Sequence, residues 1–293
     1  MKCRTIQLLA AGMTVAVLAG SAAAHWIEGM PFKWVQLPDM RQDGWGIDVN
    51  ATDVNPPGVG PSGQPARVLA DDFLCTSTGP ITEIHIWGSW KYDVLPGNLP
   101  TNIAFRLSIH SDVPAGVPHP EDPLRRSVNY SRPGPLLWQR YFQPAEFTVQ
   151  PYGPEILEGW YDPVTGQYVS NADDTCWQYN FVVPLEYAFV QTGSTANPVT
   201  YWLDVDASVP AADAGQFQWE FGWKSSQDHW GDRAVWREDS MGPWEWYDMK
   251  YPRYHPLEGQ NLDMAFVILP EPATLAFLGA GLTGLLIRRV RRK

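Results

Sequence analysis

Between residues 25 and 269, apolar and polar positions alternate with a period of two over short runs bounded by Pro, Gly, Asn and Asp. That pattern predicts strands joined by turns. The segment IAFRLSIHS is the clearest case: Ile103, Phe105, Leu107 and Ile109 fall on one face, and Ala104, Arg106, Ser108 and His110 on the other. In VTYWLDVDA, Val199, Tyr201, Leu203 and Val205 share a face, and Trp202, Asp204 and Asp206 share the opposite one. FQWEFGWK aligns Phe217, Trp219, Phe221 and Trp223, and ITEIHIWGSW, EFTVQPY, CWQYNFVV and LDMAFVIL complete the strand candidates. No window of this body carries a sustained apolar period of 3.6 with helix caps. Many short strands without intervening helices predict an all-β fold, an antiparallel β-sandwich of jelly-roll-like type. The stretch DVNPPGVGPSGQP, residues 53–65, is the most loop-like interior segment.

Both ends depart from this pattern. Lys2 and Arg4 precede an apolar run from Ile6 to Gly20, and Ser21, Ala22, Ala23 and Ala24 follow, which is the layout of a secretory signal peptide. Cleavage after Ala24 would leave His25 first. At the other end Pro270, Glu271 and Pro272 stand before an apolar stretch from Ala273 to Ile287, and the chain closes on RRVRRK, including Arg288 and Arg289. A transmembrane helix of that length would keep its positive flank on the cytoplasmic side. The expected organisation is therefore a signal peptide (1–24), a β-sandwich body (25–269) and a C-terminal segment with a transmembrane helix (270–293).

The PEP tripeptide, the Gly-rich apolar helix and the terminal Arg cluster together resemble the PEP-CTERM sorting signal of exported bacterial proteins. That resemblance implies membrane arrest, processing near Pro270-Glu271-Pro272 by an exosortase-type enzyme, and delivery of the body to the cell surface or extracellular matrix. The motifs LADDFLCTSTGPITEIHIWGSW, LSIHSDVPAG, EGWYDP, CWQYNF, YWLDV and FGWKSS carry a second resemblance, covering Trp34 to Ile268. They resemble a secreted domain of unknown function that recurs in exported proteins with the same C-terminal signal. It implies a β-rich domain and brings no activity and no assigned residues.

Composition narrows the chemistry. Of 293 residues, 21 are Lys or Arg and 32 Asp or Glu, a net charge of −11, which makes nucleic acid an unsuitable partner. From Tyr141 to Trp223 the chain has no Lys or Arg and eleven Asp or Glu. Such a concentration of like charge destabilises a fold unless calcium, backbone donors or solvent offsets it. Oxygen-rich groups suited to calcium are Asp48, Asn50, Asp53 and Asn55 in DVNATDVN, the pairs Asp71-Asp72 and Asp173-Asp174, and Asp204 with Asp206. The first lacks the glycine and terminal glutamate of an EF-hand, so a solvated turn is the alternative. Beyond calcium no cofactor is expected.

Cys3 leaves with the signal, so Cys75 and Cys176 either form one disulfide, as an oxidising compartment allows, or remain two buried thiols. Fifteen Trp give the chain an unusual aromatic content. Trp202, Trp230 and Trp236 are candidates to stack sugar rings, with Trp244 and Trp246 also in polar company; the alternative is that tryptophan forms core. Glycosidase chemistry needs two carboxylates flanking the bond. Glu155, Glu158, Glu220, Glu238 and Glu245 qualify by type, but the sequence does not pair them. A mature N-terminal His25 with a second histidine, from His85, His110, His119, His229 or His255, resembles the copper-binding brace of secreted polysaccharide monooxygenases. The sequence thus favours an exported, non-catalytic surface or matrix protein associated with extracellular polysaccharide. A carbohydrate-binding module and a secreted carbohydrate-active enzyme are the alternatives.

Overall fold

The computed structural model describes residues 32–43, 45–53, 66–210, 218–238 and 240–270. In chain order its strands are β1 (Trp34–Gln36), β2 (Ile47–Asn50), β3 (Thr52–Asp53), β4 (Arg67–Ile81), β5 (Glu83–Trp90), β6 (Ala104–Val113), β7 (Arg132–Phe142), β8 (Phe147–Pro151) and β9 (Glu158–Asp162). They continue as β10 (Gln167–Asp173), β11 (Trp177–Val182), β12 (Phe189–Ser208), β13 (Phe221–Ser226), β14 (Val235–Glu238), β15 (Tyr247–Asp248), β16 (Asp263–Met264) and β17 (Phe266–Leu269). Between them lie three single 3-10 turns, so among the described residues the fold is all-β.

The strands form two sheets. The first runs β1-β17-β5-β13-β2-β9-β10, with β11 and β8 on the other edge of β5; the second runs β15-β14-β4-β12-β6-β7. Pairing is antiparallel except for β2 with β9 and β3 with β12. Their facing sides share one apolar core, and the alternation in the sequence supplies it. Phe105, Leu107 and Ile109 enter from β6, Tyr201, Leu203 and Val205 from β12, Ile84 and Ile86 from β5, and Phe221 and Trp223 from β13.

Phe105 is the aromatic plug between the sheets. Its ring, on the second sheet, meets Tyr179 and Phe181 of β11 at 5.1 Å each, Phe221 at 5.3 Å and Phe147 at 5.4 Å, all edge-on. Such edge-to-face contacts add to the energy of burial. A polar staple joins the sheets at another point. Asp71 of β4 accepts from the Gln36 side chain of β1 at 3.0 Å and from the Met264 backbone N–H of β16 at 2.7 Å.

Much of the outer faces is covered rather than solvated. Trp202, expected to offer a flat surface, is fully buried; its Nε1 donates to Asp112 at 2.8 Å and its ring packs with Val68, Ala70, Tyr130, Val235 and Trp246. Segments returning across the second sheet bury that face too. Trp230 lies edge-on to Trp34 at 5.0 Å, and Trp236 packs on the core while stacking on Tyr247 at 5.1 Å. The described part of DVNATDVN, Asp48 to Asp53, is likewise not a solvated turn, because residues 47–50 and 52–53 are buried strand, while Asn55 lies outside the described residues.

Cys75 and Cys176 are free, buried thiols rather than a disulfide. Cys75 belongs to the core between the sheets, and Cys176 to a small cluster with Trp87, Val267 and Leu269 on the outer face of the first sheet. Burial pushes both thiols up, which keeps them unreactive. Ala22, Ala24, His25, Glu271, Pro272, Arg288 and Arg289 lie outside the described residues, as does the segment expected to cross a membrane. Pro270, half-buried, follows β17 directly. Among the described residues no helix is long and apolar enough to cross a membrane.

Phe105→Ala is expected to cost about 3 to 5 kcal/mol in a urea titration, because the hole would open among four rings and could not collapse. Leu124→Ala, on an exposed side chain, is expected to change stability by under about 0.5 kcal/mol.

Candidate functional site

On the outer face of the first sheet, strand register gathers four charged residues. Lys224 of β13 sits opposite Asp48 of β2, and Asp173 at the end of β10 sits opposite Glu158 at the start of β9. The parallel pairing of β2 with β9 joins the two pairs. A register shift between Val169 and Asp173, with Asn171 in the left-handed region at φ 51°, re-aims the end of β10. Asp93 then pins the following segment by accepting from the Asp174 and Thr175 backbone N–H groups, each at 3.1 Å.

All four side chains are buried. The Lys224 ammonium forms a short ion pair with Glu158 and lies 3.4 Å from Asp48 Oδ2. Carboxylate oxygens of Asp48, Glu158 and Asp173 lie within 4.8 Å of one another. Gly46 closes over them, and a Cβ there would sit 2.9 Å from Lys224 Nζ and 3.1 Å from Glu158 Oε1. Asp48 Oδ1, Glu158 Oε1 and both oxygens of Asp173 have no hydrogen-bond donor.

The electrostatics follow from this geometry. Burial raises Asp48 despite the neighbouring ammonium, pushes Glu158 up to about 7, and holds Asp173 well above the carboxylate range, with the Asp48 charge adding to the effect. Lys224 is raised even though burial opposes its charge, because Asp48 and Glu158 favour the ammonium. The group can share protons or hold a hard cation through oxygen.

A second acidic group behaves differently. Asp71 has its staple donors and also accepts from the Asp72 N–H at 2.9 Å; Asp263 accepts from His229 at 2.7 Å and from the Ala234 N–H at 3.2 Å. Asp72 accepts from the Asp232 N–H at 3.2 Å, and burial pushes it up to about 8, with Asp263, Asp112 and Asp232 adding repulsion. Backbone and side-chain donors satisfy most of these oxygens, so this group is part of the scaffold.

Asp48, Glu158 and Asp173 were each legible as carboxylates, in three unrelated motifs, but nothing in the spacing joins them. Lys224 was missed. Its signal is that it is the first cation after the stretch from Tyr141 to Trp223. The other glutamates do not assemble with them: Glu155 is exposed, Glu220 pairs with Lys91 at 3.1 Å, and Glu245 with Arg126 at 2.9 Å. The five described histidines are held by protein groups: His85 by Asn180 and Glu83, His110 by Asp204, His229 by Asp263, and His119 and His255 by the Pro133 and Trp45 carbonyls.

Two outcomes test this description. Lys224→Met leaves three buried carboxylates without their ammonium and is expected to cost about 3 to 5 kcal/mol by urea titration. For Asp72, the folded state keeps a proton that the unfolded chain has released, so this residue's contribution makes stability fall as pH rises from about 4 to about 8. Asp72→Asn is expected to flatten that slope, read as urea midpoints across the range, by up to about 1.4 kcal/mol per pH unit.

No curated protein and no solved structure matches the chain. The family described as a domain of unknown function, DUF7901, matches residues 32–269, which spans both sheets and all four residues of the buried charge cluster. By that match over most of its length, the chain belongs to the DUF7901 family.

Proposed function

We infer that this protein is an exported, non-catalytic structural component of a bacterial cell surface or extracellular matrix, its body an antiparallel, jelly-roll-like sandwich associated with exopolysaccharide. The observation that carries this reading is the sealing of Asp48, Glu158 and Asp173. These close-set carboxylates are buried and tied to Lys224, whereas a glycosidase needs its pair in a cleft, flanking the bond. The signal-peptide layout before His25 and the PEP-CTERM resemblance from Pro270 support export, passage through the membrane and processing by an exosortase-type enzyme.

A binding role is favoured by a different observation. Tyr247, 44% exposed, stacks on Trp236 and borders a cleft of about 260 Å³ lined also by Asp122, Arg126, Trp244 and Glu245. An exposed ring beside charged hydrogen-bonding groups is the arrangement that sugar rings use.

Mass spectrometry of surface-associated protein is expected to show the residues after Pro272 absent; intact Lys293 there would overturn the processing step. In affinity electrophoresis on polymer from the source cells, the full chain is expected to release no reducing sugar. Retardation abolished by Tyr247→Ala would favour the binding module over the scaffold.

A further inference from the structure

We propose that Asp48, Glu158 and Asp173, with the Ser89 hydroxyl beside Asp48, form an internal binding site for one calcium ion. The inference is independent of whether the protein serves as a surface scaffold.

Charge is the first argument. If ionised, three carboxylates against one ammonium leave two uncompensated negative charges in a buried space. One divalent cation closes that balance. Geometry is the second. Three atoms no more than 4.8 Å apart lie within about 2.8 Å of a common point, close to the 2.3 to 2.6 Å of calcium–oxygen bonds.

The third argument is independent of the clustering. Asp173 is 2% exposed and neither of its oxygens has a donor, an arrangement that native folds avoid unless something else satisfies the group. Asp71 shows the contrast, with three donors on its two oxygens. The oxygens that the Lys224 ammonium leaves without a donor, Asp48 Oδ1, Glu158 Oε1 and the Asp173 pair, are the ones a cation would take. Ser89 is fully buried and lies against Asp48, offering a neutral ligand.

Donor chemistry selects the ion. The donors are all hard oxygens, which suit calcium, magnesium or manganese rather than a thiolate-seeking metal. Magnesium keeps several waters in a tight octahedron, and a sealed site with Gly46 closed over it favours the ion that sheds them. A cleft of about 480 Å³ whose lining includes Asp43, Glu155, Ile156 and Asn171 opens beside the segments that lead to the cluster. Ile156 and Asn171 each stand two residues before a proposed ligand, and the two acids at the mouth attract cations.

The experiment uses the full chain, stripped with chelator and dialysed at neutral pH, titrated with Ca²⁺ by calorimetry and by melting. The expected result is one saturable site per chain with Kd below about 1 mM and a Tm rise of a few degrees, which Mg²⁺ does not reproduce. Proton release on binding, read from calorimetry in buffers of different ionisation enthalpy, is expected as the ion displaces shared protons. Asp173→Asn should weaken Ca²⁺ at least tenfold, while Asp174→Asn, at the half-buried neighbour, should not. Terbium luminescence supplies a local readout, because Trp160 lies on the same face and both its ring and Asp48 would contact a Cβ at Gly222 at 2.7 Å. Trp160→Phe should dim the signal without removing the calorimetric site. No saturable binding by folded wild-type protein up to about 5 mM Ca²⁺, or equal shifts with Mg²⁺, would overturn the proposal whatever the variants do. So would unchanged affinity in a folded Asp173→Asn.

Discussion

A buried ammonium sets the terms for this structure. Lys224 stands on the outer face of the first sheet, where β13, β2, β9 and β10 meet, and it pairs with two of three carboxylates that come from three different strands. Removing charge from water costs several kcal/mol per ion, and the loss is recovered only where opposite charges meet in the same low-dielectric space. The pairing of β2 with β9, the shift in β10 and the closure of Gly46 all serve that meeting. A strand out of place by one residue would turn its carboxylate to the opposite face and leave the ammonium short of partners.

The same accounting explains how an acidic chain folds at all. The stretch from Tyr141 to Trp223 has no Lys or Arg of its own, so its carboxylates taken alone repel one another. Tertiary structure brings the cations from outside. Arg67 pairs with Asp162, Lys91 with Glu220, Arg106 with Asp206, His110 with Asp204 and Lys224 with Glu158. Asp204 falls below the usual carboxylate range against burial, because His110 and Arg106 face it. Asp173 has no such partner, and burial together with the Asp48 charge raises it well above the carboxylate range instead.

Packing and polarity are divided between the layers. Between the sheets the contacts are aromatic and aliphatic, organised around Phe105, with Asp71 as a fully bonded polar exception. Outside the sheets the rows Asp48-Asn50, Trp202-Asp204-Asp206 and His85-Trp87-Ser89 are polar or amphipathic yet buried by covering segments. Each layer therefore has its own requirement: volume complementarity inside, and charge and hydrogen-bond complementarity outside.

The period of two determined the strands and their inward residues, since a half-buried strand must place Phe105, Leu107 and Ile109, or Tyr201, Leu203 and Val205, on one side. It also determined the all-β character of the body, because nothing between residues 25 and 269 offers a capped helical stripe. It did not determine what lies over the second face. Trp202, Asp48 and Asp173 read as surface residues because alternation reports which side a residue occupies and carries no information about a loop arriving from far along the chain. Only the tertiary structure decided that Asp48, Glu158, Asp173 and Lys224 share one buried space. They come together through register between strands distant in sequence, and register is fixed by the packing of whole sheets rather than by any local run of residues.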